Sequence, residues 1–245
     1  MRQVFSAAVA AYVFQASAWA TTGAEVLEAI DSKANKFEDQ TILYDAVTTE
    51  GSKDPRHMTF EVILQGEKRL VEFSAPGDVR GTRVLVLKRN QMYIYLPAYN
   101  KVRRVASHVT GQGFMGTTFS DEDMSTSVYA PHYDANITSE EGDGWAIDLT
   151  PKAETETPYG TLRMKVAKEG TQIREIAFYG KDGAHLKTES RSDYRCVGEV
   201  CSPARIEMVD HTRGGASSVL TMKEFSANEG VDSGIFSVRS LQRGD

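Results

Sequence analysis

Along residues 22–37 the apolar positions recur at helical spacing. Val26, Leu27, Ile30, Ala34 and Phe37 share one face, and Glu28, Asp31, Ser32, Asn35 and Lys36 share the other. Thr22 or Thr21 can cap this stretch, with Glu25 in its first turn. The pattern predicts one amphipathic helix whose apolar stripe has to lie on something apolar. From about residue 40 the period shortens to two. About a dozen short segments then read as strands: 42–49, 58–64, 68–74, 83–88, 91–96, 101–107, 133–138, 145–150, 162–167, 173–179, 186–194, 204–209 and 218–225. Turn signals separate them, among them Gln65-Gly66-Glu67, Arg89-Asn90, Glu141-Gly142-Asp143-Gly144 and Lys181-Asp182-Gly183. No helical crossovers lie between the strands, so the sheet is expected to be antiparallel.

A sheet of this many strands does not stay flat; it curls into a sandwich, a closed barrel or a partial barrel. Its one long amphipathic helix has to cover part of the concave face. A sheet wrapped round a helix leaves a gap that side chains need not fill, and such gaps take small apolar ligands. Alternation and apolarity select the residues expected to face that gap: Phe60, Val62, Leu64, Phe73, Leu85, Leu87, Met92, Ile94 and Leu96 on strands, with Phe114, Met115 and Phe119 on a following loop. Tyr93 and Tyr95 then point to the other side of their strand.

Composition narrows the class. The 245 residues carry a net charge of −6, which argues against nucleic acid as a partner, since such a surface needs a basic face. Residues 1–20 read as a cleavable signal peptide: Arg2, an apolar run from Val4 to Phe14, and Ala18-Trp19-Ala20 as a small-x-small site. Cleavage after Ala20 leaves one mature domain, residues 21–245, in an exported location. Thr21 rather than cysteine follows the cut, so no lipidated N-terminus is expected. Cys196 and Cys201 are the two cysteines, and an exported chain is expected to pair them as a disulfide across the turn Val197-Gly198-Glu199-Val200.

The least ordinary stretch runs from Met92 to Met124. Pro97 ends a strand, and Lys101, Arg103 and Arg104 then form a small basic cluster in an acidic protein. It suits an anionic headgroup or a partner's acidic surface, or else a solvated edge kept charged against edge pairing. Gly111-Gln112-Gly113-Phe114-Met115-Gly116 matches G-x-G-x-x-G, but no helix or βαβ unit follows, so nucleotide binding is not expected. Ser120 reads as the cap of a short helical turn with Asp121, Glu122 and Asp123 at its positive end.

This block carries a resemblance. Tyr95-Leu96-Pro97, Lys101-Val102-Arg103-Arg104-Val105, Gly113-Phe114-Met115-Gly116, Phe119-Ser120 and Glu122-Asp123 resemble the outer-membrane lipoprotein-sorting protein family, the LolA-like periplasmic carriers. Ile173-Arg174-Glu175-Ile176, Tyr179, Asp182-Gly183, Lys187, Pro203-Ala204-Arg205-Ile206, Met208 and Phe236 extend the likeness over nearly the whole mature chain. The resemblance implies a mainly β fold: a large curved antiparallel sheet, an incomplete barrel, with helices covering an apolar cavity. It implies a periplasmic carrier for the acyl chains of a lipoprotein or another lipid, working between an inner-membrane exporter and an outer-membrane acceptor, with no cofactor and no catalysis.

Two other classes are weighed. A docking module of an export complex would have the same sheet with a solidly filled interior. A hydrolase would need a site assembled from residues distant in sequence, since no local motif supplies one. His57, His108, His132, His185 and His211 lack metal-ligand spacing, there is no G-x-S-x-G elbow, and Asp121-Glu122-Asp123 lacks the spacing of a calcium loop.

Overall fold

The computed structural model describes residues 21–105 and 113–243. The segment read as a signal peptide, the last residues of the strand expected over 101–107, and the first two residues of the glycine motif lie outside these. The order is α1 (Gly23–Ala34), β1 (Gln40–Thr49), β2 (Arg56–Gln65), β3 (Lys68–Ala75), β4 (Arg83–Lys88), β5 (Gln91–Leu96), β6 (Lys101–Val105), α2 (Asp121–Ser125), β7 (Tyr133–Glu141), β8 (Gly144–Pro151), β9 (Tyr159–Ala167), β10 (Ile173–Gly180), β11 (His185–Val197), β12 (Val200–Asp210), β13 (Ala216–Ala227) and α3 (Val238–Arg243). Every expected strand is present.

The strands form one sheet of thirteen in the order β6-β5-β4-β3-β2-β1-β13-β12-β11-β10-β9-β8-β7, all neighbours antiparallel. The sheet does not close. Its two outermost strands, β6 and β7, are consecutive in the chain, so the connection between them has to run from one edge to the other. Meandering hairpins build both wings, and β1–β13 pairing joins them at the middle, where Gln40 faces Ala227 and Thr49 faces Ser217.

Helix α1 starts with a reciprocal capping box between Thr22 and Glu25. Val26, Leu27 and Ile30 are buried against Ile147, Leu149, Leu162, Met164 and Ile176 of the β7–β11 wing. Gly23 sits so close to β7 that a Cβ there would meet the Ala135 carbonyl at 2.4 Å. The helix ends at Ala34, so Phe37, expected on its apolar stripe, lies beyond it. Asp31, expected on the wet face, is half-buried instead. Its Oδ2 accepts the backbone N–H groups of Tyr129 at 2.8 Å and Ala130 at 2.7 Å.

The β2–β5 strands are apolar on both faces. Their inner face holds Phe60, Val71, Phe73, Val84, Val86 and Met92. Their outer face holds Ile63, Leu70, Leu85, Leu87, Tyr93 and Tyr95, and the C-terminal tail covers it with Ile235, Phe236 and Leu241 of a 3₁₀ turn and α3. This corrects the face assigned to β4. Leu85 and Leu87 point away from the concave side, and Val84 and Val86 point into it. Val84-Leu85-Val86-Leu87 is apolar at every position, so alternation offers no parity there; the pairing Val84–Ile94 and Val86–Met92 sets it.

Candidate functional site

Residues 113–132 leave the β6 edge behind and cross the concave face before entering β7. Gly113 is required at the start, because a Cβ there would come within 1.4 Å of the Thr117 carbonyl oxygen. Thr118 donates its N–H to Ser218 Oγ at 2.9 Å and its hydroxyl to the Met208 carbonyl at 2.8 Å. Arg213 donates to the Thr117 carbonyl at 3.1 Å. Ser120 and Asp123 then form the capping box that opens α2, as expected for Ser120. The acids of that turn do more than meet a helix dipole. Glu122 pairs with Arg89, and Asp123 accepts from Lys187 Nζ at 2.7 Å and from Tyr159 Oη at 2.5 Å. Arg69 donates to the carbonyls of Met124 at 2.6 Å and Thr126 at 3.2 Å. The strap is thus fastened to β3, β11, β12, β13, the β4–β5 turn and α1.

Between strap, α1 and the inner face of the sheet lies a cavity of about 290 Å³, close to the lower bound of about 300 Å³ for small-ligand pockets. Its apolar wall is Ile42, Phe60, Val62, Leu64, Val71, Phe73 and Val86 from β1–β4, completed by Phe114 and Phe119 of the strap and by Ile206 and Leu220. The exposed members of the lining, Lys33, Ala34 and Gly170, place the mouth at the C-terminal end of α1, beside the β9–β10 turn and the tip of the β11–β12 hairpin. Across that mouth Lys36 pairs with Glu199 at 2.7 Å.

Of the residues selected from sequence, Phe60, Val62, Leu64, Phe73, Phe114 and Phe119 line the cavity. Met92, Ile94 and Met115 pack in the same inner cluster behind the lining. Leu96, at the end of β5, is half-buried and belongs to neither the lining nor the inner cluster, and Leu85 and Leu87 lie on the opposite face. The basic cluster is on edge strand β6, exposed, and split between faces. Arg103 pairs opposite Ile94 and Lys101 opposite Leu96, on the inner side, while Arg104 is opposite Tyr93 on the outer. Cys196 and Cys201 are bonded at directly facing positions of β11 and β12, with Cα atoms 4.1 Å apart, and Cys201 belongs to the cavity lining.

The sequence reading missed the cavity's polar side. Arg69, Glu189, Arg191, Tyr44, Tyr129 and Tyr194 all line it. Arg191 donates Nε to Glu189 Oε1 at 2.5 Å, and Tyr194 donates its hydroxyl to the Ile173 carbonyl at 2.7 Å. Burial opposes the charge of Arg191, but Glu189, Tyr129 and Tyr194 outweigh it and hold the guanidinium above its ordinary value. Burial, with the like charge of Arg191, pulls Arg69 below its own. Burial pushes the phenols of Tyr44 and Tyr129 far up, so both stay neutral. A signal existed: Arg69 shares the parity of Val71 and Phe73, which placed it inward. The strand carrying Glu189 and Arg191 is polar at nearly every position and hides its inner face. Among the described residues no group of three or more His, Cys, Asp or Glu could hold a metal, and no helix is long and apolar enough to cross a membrane.

Comparison with known proteins agrees with this architecture. A family model described as uncharacterized-protein-like matches residues 65–243. A candidate outer membrane lipoprotein-sorting protein domain from Vibrio parahaemolyticus superposes with a TM-score of 0.81 at 22% identity, covering 90% of this chain and 98% of its own. A DUF1329 family protein from Desulfovibrio piger gives 0.82 at 21% identity over 89% and 97%. A LolA superfamily protein from Nitrosomonas europaea gives 0.72 at 20% identity over 90% and 100%. Among curated proteins, none matches. At these identities the likeness establishes the fold.

Proposed function

Given that the chain belongs to the family described as uncharacterized-protein-like, whose model spans residues 65–243, and has the fold of the LolA superfamily, we propose that it is a non-enzymatic periplasmic carrier that shelters an acyl chain. One observation supports the reading above the others: the concave face is roofed by α1 and the strap yet leaves an apolar hollow of about 290 Å³. A docking module would be packed to ordinary density there. The need for shelter follows from hydration. Each methylene costs about 0.8 kcal/mol to expose, so a chain of about sixteen carbons costs on the order of 12 kcal/mol. Crossing an aqueous compartment requires that cost to be hidden. In this reading the cargo is a lipoprotein or other lipid received from an inner-membrane exporter and passed to an outer-membrane acceptor, and residues 1–20 direct export.

Lys101, Arg103 and Arg104 fit the same scheme as a contact for an anionic headgroup or an acidic partner, because they stand exposed on the outermost strand of the described sheet. Native mass spectrometry of protein released from the periplasm tests the carrier reading. The expected spectrum contains a lipid adduct of defined mass. Protein that emerges free of lipid, and takes up none from detergent-solubilised membranes, overturns it.

A further inference from the structure

The polar side of the cavity holds two guanidiniums, Arg69 and Arg191, beside the carboxylate of Glu189. Arg69 faces inward from β3 with only carbonyl partners, Met124 O and Thr126 O, and its Nε is buried with no hydrogen-bond partner among the described residues. Arg191 faces inward from β11 and bonds Glu189 through Nε alone; its Nη1 and Nη2 make no hydrogen bond to the described residues. The Arg191 side chain keeps 23% of its surface accessible, and it borders the cavity. The Tyr129 hydroxyl, in the same lining, also makes no hydrogen bond to the described residues. The other cavity carboxylates are engaged elsewhere: Asp123 with Lys187 at 2.7 Å, and Asp31 with the backbone N–H groups of Tyr129 and Ala130. Arg69 thus has no carboxylate among its hydrogen-bond partners, and Arg191 keeps both Nη atoms unengaged beside the cavity, so two enclosed guanidiniums present donors that no described residue satisfies.

We infer that the ligand supplies an anionic acceptor for these unengaged guanidinium donors, and that the cavity takes a single-chain amphiphile with a monoanionic carboxylate head, a long-chain fatty acid. The head meets the free Nη atoms of Arg191, whose planar fork suits a carboxylate, with Arg69 and the Tyr129 hydroxyl beside it. The chain lies along Ile42, Phe60, Val62, Val71 and Phe73 on the facing wall. The small hollow favours one chain over two. This deepens the carrier reading and rests on it.

The test is displacement of a neutral fluorophore, N-phenylnaphthylamine, from the purified chain by palmitate and by uncharged monopalmitoylglycerol. Palmitate is expected to bind about tenfold tighter, the scale of a charge-assisted contact. Arg191→Met should abolish that preference, and Glu189→Gln, which removes the competing carboxylate with little change of shape, should widen it. If Arg191→Met fails to fold, by near-ultraviolet circular dichroism, Glu189→Gln carries the test alone. Equal binding of the two ligands by the wild type, or a preference unmoved by Glu189→Gln, overturns the anionic head and leaves the carrier standing. Failure of fluorophore and both ligands to bind overturns the carrier as well.

Discussion

Lys187 on β11 places its ammonium 2.7 Å from the carboxylate of Asp123 on the strap, and the Asp123 side chain is only 1% exposed. This contact, with the Tyr159 hydroxyl and the Ser120 N–H, fixes α2 over the concave face. Lys187→Met leaves the carboxylate enclosed without its cation. We expect a loss of about 3 kcal/mol, the usual cost of stripping one partner from a buried pair, read by urea denaturation. Asp123→Asn combined with Lys187→Met removes both charges and should recover part of it.

The two faces of the β2–β5 wing should separate under mutation. Val62→Trp fills the hollow and is expected to abolish uptake of a fluorescent lipid while the chain remains folded. Leu85→Ala, fully buried on the outer face beneath the tail, should cost about 2–5 kcal/mol of stability and leave uptake unchanged. Uptake that follows Leu85 instead would reverse the assignment of faces.

The tail that covers the outer face is held at its root by Asp39, whose carboxylate accepts the N–H groups of Glu229 at 3.0 Å, Gly230 at 2.9 Å and Val231 at 3.1 Å. Burial pushes its pKa up, but these bonds outweigh burial and hold it below the ordinary aspartate value. A depressed folded-state pKa means that the ionised carboxylate stabilises the fold. That contribution is complete above the ordinary aspartate value and disappears as pH falls through the lowered one. Asp39→Asn should therefore be less stable than the wild type at neutral pH, with the gap closing in strong acid. A gap that is constant with pH would deny Asp39 this role.

The Cys196–Cys201 bond closes a short loop between strands already in register. Replacing both cysteines by serine should cost no more than about 2 kcal/mol, the loop-entropy value for so small a ring. Its larger effect is expected at the mouth, as faster hydrogen exchange at the hairpin tip.

Much of the fold was legible because each wing is a meander of local hairpins. Period-two segments bounded by turn residues located every strand, and Thr22, Glu25, Val26, Leu27 and Ile30 announced α1. Three things were hidden, each for a physical reason. The parity of β4 vanished in an unbroken apolar run. Short α3 carries too few turns for a periodic signal, and its Leu241 acquires meaning only from the outer face it covers. The charged pair Glu189 and Arg191 sits in a polar strand, where alternation cannot tell inside from outside. Half of the selected cavity residues line the hollow; Phe60, Val62 and Phe73 were legible because Thr59, Glu61, Glu72 and Ser74 alternate with them and fix the parity that Leu64 then follows.

The strap has one more consequence. Since β6 and β7 follow one another in sequence but stand at opposite flanks of the sheet, the chain itself acts as a bowstring across the open side. Spreading the flanks would have to tear Thr118, Asp123 and Tyr129 from their seats together. Moving the end of α1 beyond Asp31 strains fewer contacts, those of Asn35 with the Ser127 carbonyl and of Lys36 with Glu199. If the chain is a carrier as proposed, cargo is expected to enter end-on past that tip, its girth limited by connectivity rather than by attraction.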